Sequence, residues 1–99
     1  MTKSDMAARL QSKNGWLPGK RIKIDFGDTG VILLDGVAEC VAEADGPADT
    51  TISISWQDLE ALGRRELDPM AAMLQGKLRI AGDMSNALAL APLLAKMRD

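Results

Sequence analysis

The sequence has no histidine and no tyrosine, and only one of its 99 residues is a cysteine. Without histidine the chain can form neither a Ser-His-Asp triad nor a Cys-His pair, and it cannot bind a metal through imidazole. The single cysteine, Cys40, cannot close a disulfide within the chain, and one thiolate is too few for a zinc cluster. We therefore expect no metal ion, no cofactor and no nucleophilic catalysis of these types.

Aromatic residues are also scarce, because Trp16, Phe26 and Trp56 are the only three, whereas methionine occurs six times. The core must then be aliphatic and soft, since methionine is unbranched and adapts to irregular shapes. The chain has no excess of positive charge either, because 12 basic and 14 acidic residues leave a net charge of −2. This balance argues against nucleic acid as a partner, which favours a basic stripe interleaved with stacking aromatic residues.

Long apolar stretches are missing as well. No run of about 18 apolar residues is present, so we expect no membrane span. The polar residues 1–5 are not followed by the apolar run of a signal peptide. A length of 99 residues suits one core, so we expect a single domain over residues 1–99. Together with the lone cysteine, these features indicate a cytoplasmic protein.

The middle of the chain alternates apolar and polar residues with a period of two, which is typical of strands with one buried face. Ile22, Ile24 and Phe26 alternate with charged residues, and Asp35-Gly36 is a strong hairpin signal. Residues 31–34 are instead an unbroken apolar run, which is typical of a central strand. In all, four predicted strands follow one another, and a fifth comes late in the chain. The predicted strands span residues 22–26, 31–34, 37–43, 50–55 and 77–81.

Capping signals and helical spacing predict the helices. Asp68-Pro69 supplies an N-cap followed by a proline at the first helical position. Ser55 with Asp58 resembles a capping box, and Gly63 is the expected residue just past the end of that helix. The predicted helices span residues 5–11, capped by Ser4, then 56–62 and 69–76, and a last helix begins after Gly82-Asp83.

The last helix should contain Met84, Leu88, Leu90, Leu93, Leu94 and Met97. Pro92 is expected to break or kink it, because proline lacks the N–H and its ring clashes with the preceding turn. The element order is therefore α-β-β-β-β-α-α-β-α. Strands followed by helices, with one strand returning late, indicate an α+β fold with helices on one face of the sheet.

Three groups of residues resemble catalytic or phosphate-binding sites only in part. Residues 15–20 have one residue too few between their glycines for a phosphate loop, and Arg21 stands where serine or threonine must reach magnesium. Glu39 and Glu43 lack the unlike environments that acid-base catalysis needs, so a solvated face explains them better. Cys40 lies in an apolar context, which indicates a small buried residue rather than a nucleophile.

The C-terminal half carries an ordered set of motifs. In chain order they are Thr-Ile-Ser-Ile-Ser at 51–55, Trp-Gln-Asp-Leu-Glu-Ala-Leu at 56–62, Asp-Pro at 68–69, Gln-Gly-Lys-Leu-Arg-Ile at 75–80, Gly-Asp-Met at 82–84 and Leu-Ala-Leu at 88–90. This set resembles the sterol carrier protein type-two lipid-binding domain, which shows the same run without gaps. The resemblance is close over 51–90, whereas 20–50 match the family only as strand, turn and Asp-Gly hairpin.

The resemblance implies a five-stranded, mostly antiparallel sheet with helices packed on one face, enclosing an apolar tunnel. Such a tunnel would hold a fatty acid, an acyl-CoA, a sterol-like lipid or an isoprenoid. The chain differs from the family in its short N-terminal helix, which leaves one wall of the tunnel thin. Its few aromatic residues give no support to a preference for sterols.

The expected ligand contacts come from the two middle helices, the last strand and the start of the last helix. They are Trp56, Leu59, Leu62, Met70, Met73, Leu74, Leu78, Ile80, Met84 and Leu88. A methionine and leucine stripe at helical spacing is also what an ordinary core requires, so both interpretations stand at this point. Trp56 would either close the mouth of a cavity or pack on the sheet.

Three functions are compatible with these features. The motifs favour a non-catalytic carrier of an apolar lipid that meets a membrane surface transiently. The same fold would also serve as an interaction module that assists an enzyme of lipid or quinone metabolism. An enzyme would have to use Glu39, Glu43 or Lys77, and Lys77 is expected to face water because it precedes the apolar Leu78 on a strand.

Overall fold

A computed structural model of the chain describes residues 2–86, 88 and 89. The elements in chain order are helix α1 (Lys3–Ser12), strand β1 (Arg21–Asp25), a short 3-10 turn (Gly27–Thr29), β2 (Val31–Asp35), β3 (Cys40–Ala42), β4 (Thr50–Ile54), α2 (Trp56–Gly63), α3 (Pro69–Leu74) and β5 (Leu78–Gly82). Helical backbone begins again at Met84. The predicted apolar residues Leu90, Leu93, Leu94 and Met97, and the kink at Pro92, lie outside the described residues.

The five strands form one sheet in the order β3-β2-β1-β4-β5. Neighbouring strands pair antiparallel except for β1 and β4, which run parallel. The chain reaches this arrangement because it crosses from the edge strand β3 to the far side of β1 through residues 43–49. The predicted α+β fold with a five-stranded, mostly antiparallel sheet is confirmed.

The core lies on one face of the sheet and is densest over β1 and β2. Cross-strand pairs such as Ile22 with Leu34 and Ile24 with Ile32 are buried there. The helices cover this same face, with α1 contributing Met6, Ala7 and Leu10 and α2 contributing Leu59. Alternation along each strand therefore buries one side of the sheet, as a period of two requires.

Two helix ends differ from the sequence prediction. The cap of α1 is Thr2 rather than Ser4, because Thr2 Oγ1 accepts the Asp5 N–H at 3.1 Å and the Asp5 carboxylate accepts the Thr2 N–H at 3.0 Å. This reciprocal pair is a capping box with aspartate as the acid. At the end of α2, Gly63 is still helical and Arg65 adopts the positive φ of 60°. The prediction that Gly63 lies past the helix end is therefore wrong.

Strand β3 is shorter than predicted, because Asp35 holds residues 36–39 in a turn. Its carboxylate accepts the backbone N–H groups of Val37 and Ala38, each at 2.9 Å. Glu39 follows with a φ of 57°, and only Cys40–Ala42 pair with β2. Gly36 is required here, since a Cβ at this position would collide with the carbonyl oxygen of Leu17. Asp35-Gly36 thus opens a longer turn than the two-residue hairpin that the motif suggests.

The start of α3 agrees with its prediction. Asp68 is the N-cap, Pro69 follows at the first helical position, and the Asp68 carboxylate accepts the Ala71 N–H at 3.0 Å. The helix ends at Leu74, and Gly76 turns the chain into β5 with a φ of 74°. Because the connection is so short, α3 packs against the strand that follows it.

Candidate functional site

The structure divides the ten predicted ligand contacts into two groups. Five of them pack on or within the core, and these are Trp56, Leu59, Leu62, Leu78 and Ile80. Met73 is half-buried, whereas Met70, Leu74, Met84 and Leu88 are exposed. The structure therefore brings the first group together and leaves most of the second group in contact with solvent.

Helix α3 has an unusual distribution of side chains. Its small residue Ala72 has no exposed area, whereas Met70 is 67% and Leu74 is 88% exposed. Met70, Met73 and Leu74 are spaced three and four apart, so they share one side of the helix. An isolated domain would gain stability by burying the larger side chains instead. The residues that the structure describes therefore leave this apolar face of α3 largely uncovered.

These exposed residues continue along the edge of the sheet. We call the apolar edge the set Met70, Met73, Leu74, Leu78, Ile80, Met84 and Leu88. Strand β5 is the edge strand opposite to β3, with Leu78 paired to Ile54 and Gly82 paired to Thr50 in β4. At roughly 3.3 Å per residue, the five residues of β5 set the two ends of this strip about 13 Å apart. Its shape is elongated rather than a point-like pocket.

A buried polar cluster lies at the Gly82 end of the apolar edge, and sequence reasoning missed it. The Thr50 hydroxyl donates to the Asp83 carbonyl oxygen at 2.8 Å and accepts from the Asn86 side-chain amide at 3.1 Å. Both side chains are buried, so the two hydrogen bonds fix the backbone after β5 against β4. The available signal was the polar pair Ser85-Asn86 at the start of a helical segment that is otherwise apolar as far as Leu94.

A cleft of about 430 Å³ opens at the other end of the sheet. We call it the Lys3 cleft, and its lining residues are Thr2, Lys3, Phe26, Thr29, Ser55, Trp56 and Gln57. Phe26 and Trp56 meet there edge to face, with ring centroids 5.3 Å apart and an interplanar angle of 71°. Trp56 thus both packs on the core and forms a wall of the cleft.

The charges around the Lys3 cleft are only partly paired. Lys3 Nζ lies 3.9 Å from Glu43 Oε1, and Glu43 also accepts a hydrogen bond from Ser4 Oγ at 3.0 Å. The pKa of Asp5 is lowered, first by the hydrogen bond from the Thr2 backbone and then by the Thr2 hydroxyl. Asp5 is therefore the acid of the α1 capping box, with Thr2 as the cap, whereas the ion pair of Lys3 with Glu43 is longer than a hydrogen bond.

The residues that an enzyme would have needed are scattered. Glu39 and Glu43 are exposed at the two ends of β3, on one edge of the sheet, whereas Lys77 is exposed before β5, on the opposite edge. Cys40 is half-buried and unpaired with another thiol. Within residues 2–86, 88 and 89, no three acidic, cysteine or histidine side chains come together as a metal site. No helix in that part of the chain is both long and apolar enough to cross a bilayer.

Taken together, the described residues form a small α+β domain with a mixed sheet, helices on one face and an apolar edge that stays partly exposed. The sequence model of the SCP-2 sterol transfer family matches residues 3–95. The chain belongs to this family, which is a family of lipid-binding domains.

Known relatives agree with this assignment. Rat sterol carrier protein 2 is 39% identical over 60 residues, which are 61% of this chain but 11% of the rat protein. Among solved structures, Aedes aegypti sterol carrier protein 2 in complex with palmitate superposes with a TM-score of 0.68 at 22% identity, covering 93% of this chain and 89% of the mosquito protein. The ubiquinone synthesis protein UbiJ-SCP2 has a TM-score of 0.62 at 23% identity, over 90% and 76% of the two chains.

Proposed function

We propose that the chain binds one apolar lipid without chemical conversion and carries it between membranes or enzymes. The observation that supports this most directly is the face of α3, where Met70 and Leu74 are exposed while Ala72 is buried. Membership of the SCP-2 sterol transfer family supplies the class of ligand. The complex of the mosquito relative with palmitate supports an acyl chain as one such ligand.

The proposed site is the apolar edge together with the adjoining side chains of α2. An acyl chain along β5 would contact Leu78 and Ile80 on the sheet and Met73 on α3. Burial contributes about 0.8 kcal/mol per methylene, so ten methylenes contribute roughly 8 kcal/mol before the ligand's lost freedom is subtracted. Methionine suits this role because its flexible side chain adapts to chains of different shape. The enclosed tunnel expected from the family is part of this proposal.

No catalytic step is needed for this function. Binding and release would follow from the balance between the apolar edge and a bilayer, both of which shield the ligand from water. The scattered positions of Glu39, Glu43 and Lys77 support a carrier over an enzyme. We also propose a cytoplasmic location, which follows from the sequence features described above.

The test is to measure lipid occupancy and affinity after making α3 polar. In the double variant Met70→Gln, Leu74→Gln, we expect native mass spectrometry to find less co-purified lipid and fluorescent fatty-acid titration to give about tenfold weaker binding. The control is Val37→Gln, because Val37 is 56% exposed on the turn after β2. Equal binding by all three proteins, or no lipid on the wild type, would contradict the proposal.

A second function is favoured by the same exposed residues. An apolar strip of this length could instead bind a protein, and the structural likeness to a ubiquinone synthesis protein points to an enzyme of quinone or lipid metabolism as the partner. Recovery of one stoichiometric protein partner by the wild type but not by the α3 double variant, with no lipid present, would favour this function over lipid carriage.

A further inference from the structure

We propose that the Lys3 cleft binds the carboxylate of the lipid, so that the chain selects acyl ligands with a single negative charge over neutral lipids. This inference rests on the proposed function, because it names the class of lipid that the apolar edge would accept. The cleft was not among the predicted ligand contacts, except through Trp56. It places a cation, several hydroxyl groups and an aromatic wall within one space of ligand size.

The first argument is the environment of Lys3. Its side chain is only 22% exposed, although lysine normally keeps its ammonium group in water. The ammonium lies against the turn between β1 and β2, where a Cβ on Gly30 would come within 2.6 Å of Lys3 Nζ. Glu43 Oε1 at 3.9 Å is its recorded ionic partner within the described residues, beyond hydrogen-bond distance. A half-buried cation whose ion pair is too long for a hydrogen bond is further stabilised by an anion that can hydrogen-bond to it.

The second argument is the set of groups around that cation. Thr2, Thr29 and Ser55 add hydroxyl groups to the lining of the cleft. The first backbone N–H groups of α2, at Trp56 and Gln57, have no partner within the helix and can donate to an anion. On the apolar side, the Phe26–Trp56 pair offers a rigid surface for the first methylenes of an acyl chain. The carboxylate of a fatty acid would therefore contact the polar residues of the cleft, and its first methylenes would contact the two aromatic rings.

The third argument concerns the number of charges. The cleft lining contains one cation, Lys3. Glu43 Oε1 lies 3.9 Å from its ammonium group, and the Asp5 carboxylate is hydrogen-bonded to Thr2, another lining residue. The whole chain has a net charge of −2. A phosphate or a coenzyme A group brings two or more negative charges and would be repelled by these carboxylates. A carboxylate brings one charge, which one ammonium group can balance.

The cleft also lies at the correct end of the apolar edge. Phe26 follows Asp25, which pairs with Ser53, and the next residue of β4, Ile54, is opposite Leu78. Residues of the cleft and of β5 therefore lie at the same end of the sheet. A ligand with its carboxylate at Lys3 would extend its tail towards Leu78 and the face of α3.

The test compares head groups in matched variants. For the wild type we expect palmitate to bind more tightly than hexadecanol. In Lys3→Met we expect about tenfold weaker binding of palmitate and unchanged binding of hexadecanol, because only the charge contact is lost. Lys3→Arg should retain most of the preference. The matched control is Lys20→Met, which removes an exposed lysine at the opposite end of β1 and should leave both affinities unchanged.

A second probe examines the cleft without the apolar edge. Octanoate should shift the NMR signal of the Trp56 indole N–H in the wild type but not in Lys3→Met, and octanol should shift neither. If Lys3→Met weakens the acid and the alcohol equally, or leaves palmitate unchanged, the inference is overturned. If the wild type binds no long-chain lipid, the proposed function fails. An octanoate shift that depends on Lys3 would still support a carboxylate site in that case. If octanoate causes no such shift, the inference of a carboxylate site fails as well.

Discussion

On the helix-covered face of the sheet, the half over β1 and β2 and the half at β5 differ in how completely their apolar residues are buried. On the packed half, formed by α1, β1 and β2, the inward side chains such as Ile24 and Leu34 are almost inaccessible to water. On the apolar edge, Leu78 and Ile80 are half-buried and the large residues of α3 are exposed. Within residues 2–86, 88 and 89, the packed half is thus almost fully buried, whereas the apolar edge stays partly or largely exposed.

This difference indicates that stability and binding are assigned to different parts of the fold. Removing a residue from the packed half should reduce the free energy of unfolding, because a cavity forms in a dense core. Removing a residue from the apolar edge should reduce affinity for an apolar ligand and leave the fold intact. Three further measurements can separate these effects.

The largest expected effect comes from truncating matched side chains on the two halves. Ile24→Ala should lower the free energy of unfolding by about 2–5 kcal/mol, the range for deleting a buried aliphatic side chain. Leu74→Ala should change it by about 0.5 kcal/mol or less, because little of that side chain is buried. Urea denaturation of ligand-free protein measures both values. Similar losses in the two variants would show that the apolar edge is part of the core.

A middle-sized effect is expected where the two halves are joined, at Thr50 and Asn86. Thr50→Val keeps the shape of the side chain but removes the hydroxyl that bonds Asp83 and Asn86, which should cost about 1–3 kcal/mol of unfolding free energy. The double variant Thr50→Val, Asn86→Leu should recover part of this loss, because no buried amide is left without a partner. Amide hydrogen exchange at residues 83–86 should quicken in the single variant and slow again in the double. Additive losses would contradict this coupling.

Much of the fold could be predicted from the sequence because it depends on local periods and caps. The alternation of Ile22, Ile24 and Phe26 identified β1, and Asp68-Pro69 identified the start of α3. The errors arose where an aspartate side chain hydrogen-bonds to backbone N–H groups two or three residues away, because the alternation of apolar and polar residues does not reveal such bonds. Asp35 draws the next residues into a turn and shortens β3, and Asp5 moves the cap of α1 from Ser4 to Thr2.

Less of the candidate site than of the fold could be predicted from the sequence. Helical spacing placed Met70, Met73 and Leu74 on one face, but it could not show that α3 turns Ala72 rather than this face to the core. The Lys3 cleft joins three segments that are far apart in the chain, at residues 2–3, 26–29 and 55–57. No motif links them, because their proximity depends on the parallel pairing of β1 with β4.

The smallest expected effect concerns the pH dependence of the packed half, through Asp35. Hydrogen bonds from the backbone of Ala38, and then of Val37, together with the nearby Arg21, lower the pKa of Asp35 below its ordinary value of 3.8. A carboxylate with a lowered pKa in the folded state stabilises the fold above that ordinary value, and this contribution is lost as the pH falls through the folded pKa.

Asp35→Asn keeps an acceptor for both N–H groups but removes the charge. We therefore expect a slightly lower urea midpoint than the wild type at pH 7, and the two midpoints should converge as the pH falls below 3.8 and through the lowered pKa of Asp35. Asp28→Asn, on the preceding turn, is the charge-matched control and should run parallel to the wild type. A constant gap between Asp35→Asn and the wild type at every pH would mean that the hydrogen-bond geometry, and not the charge, holds this turn on the packed half.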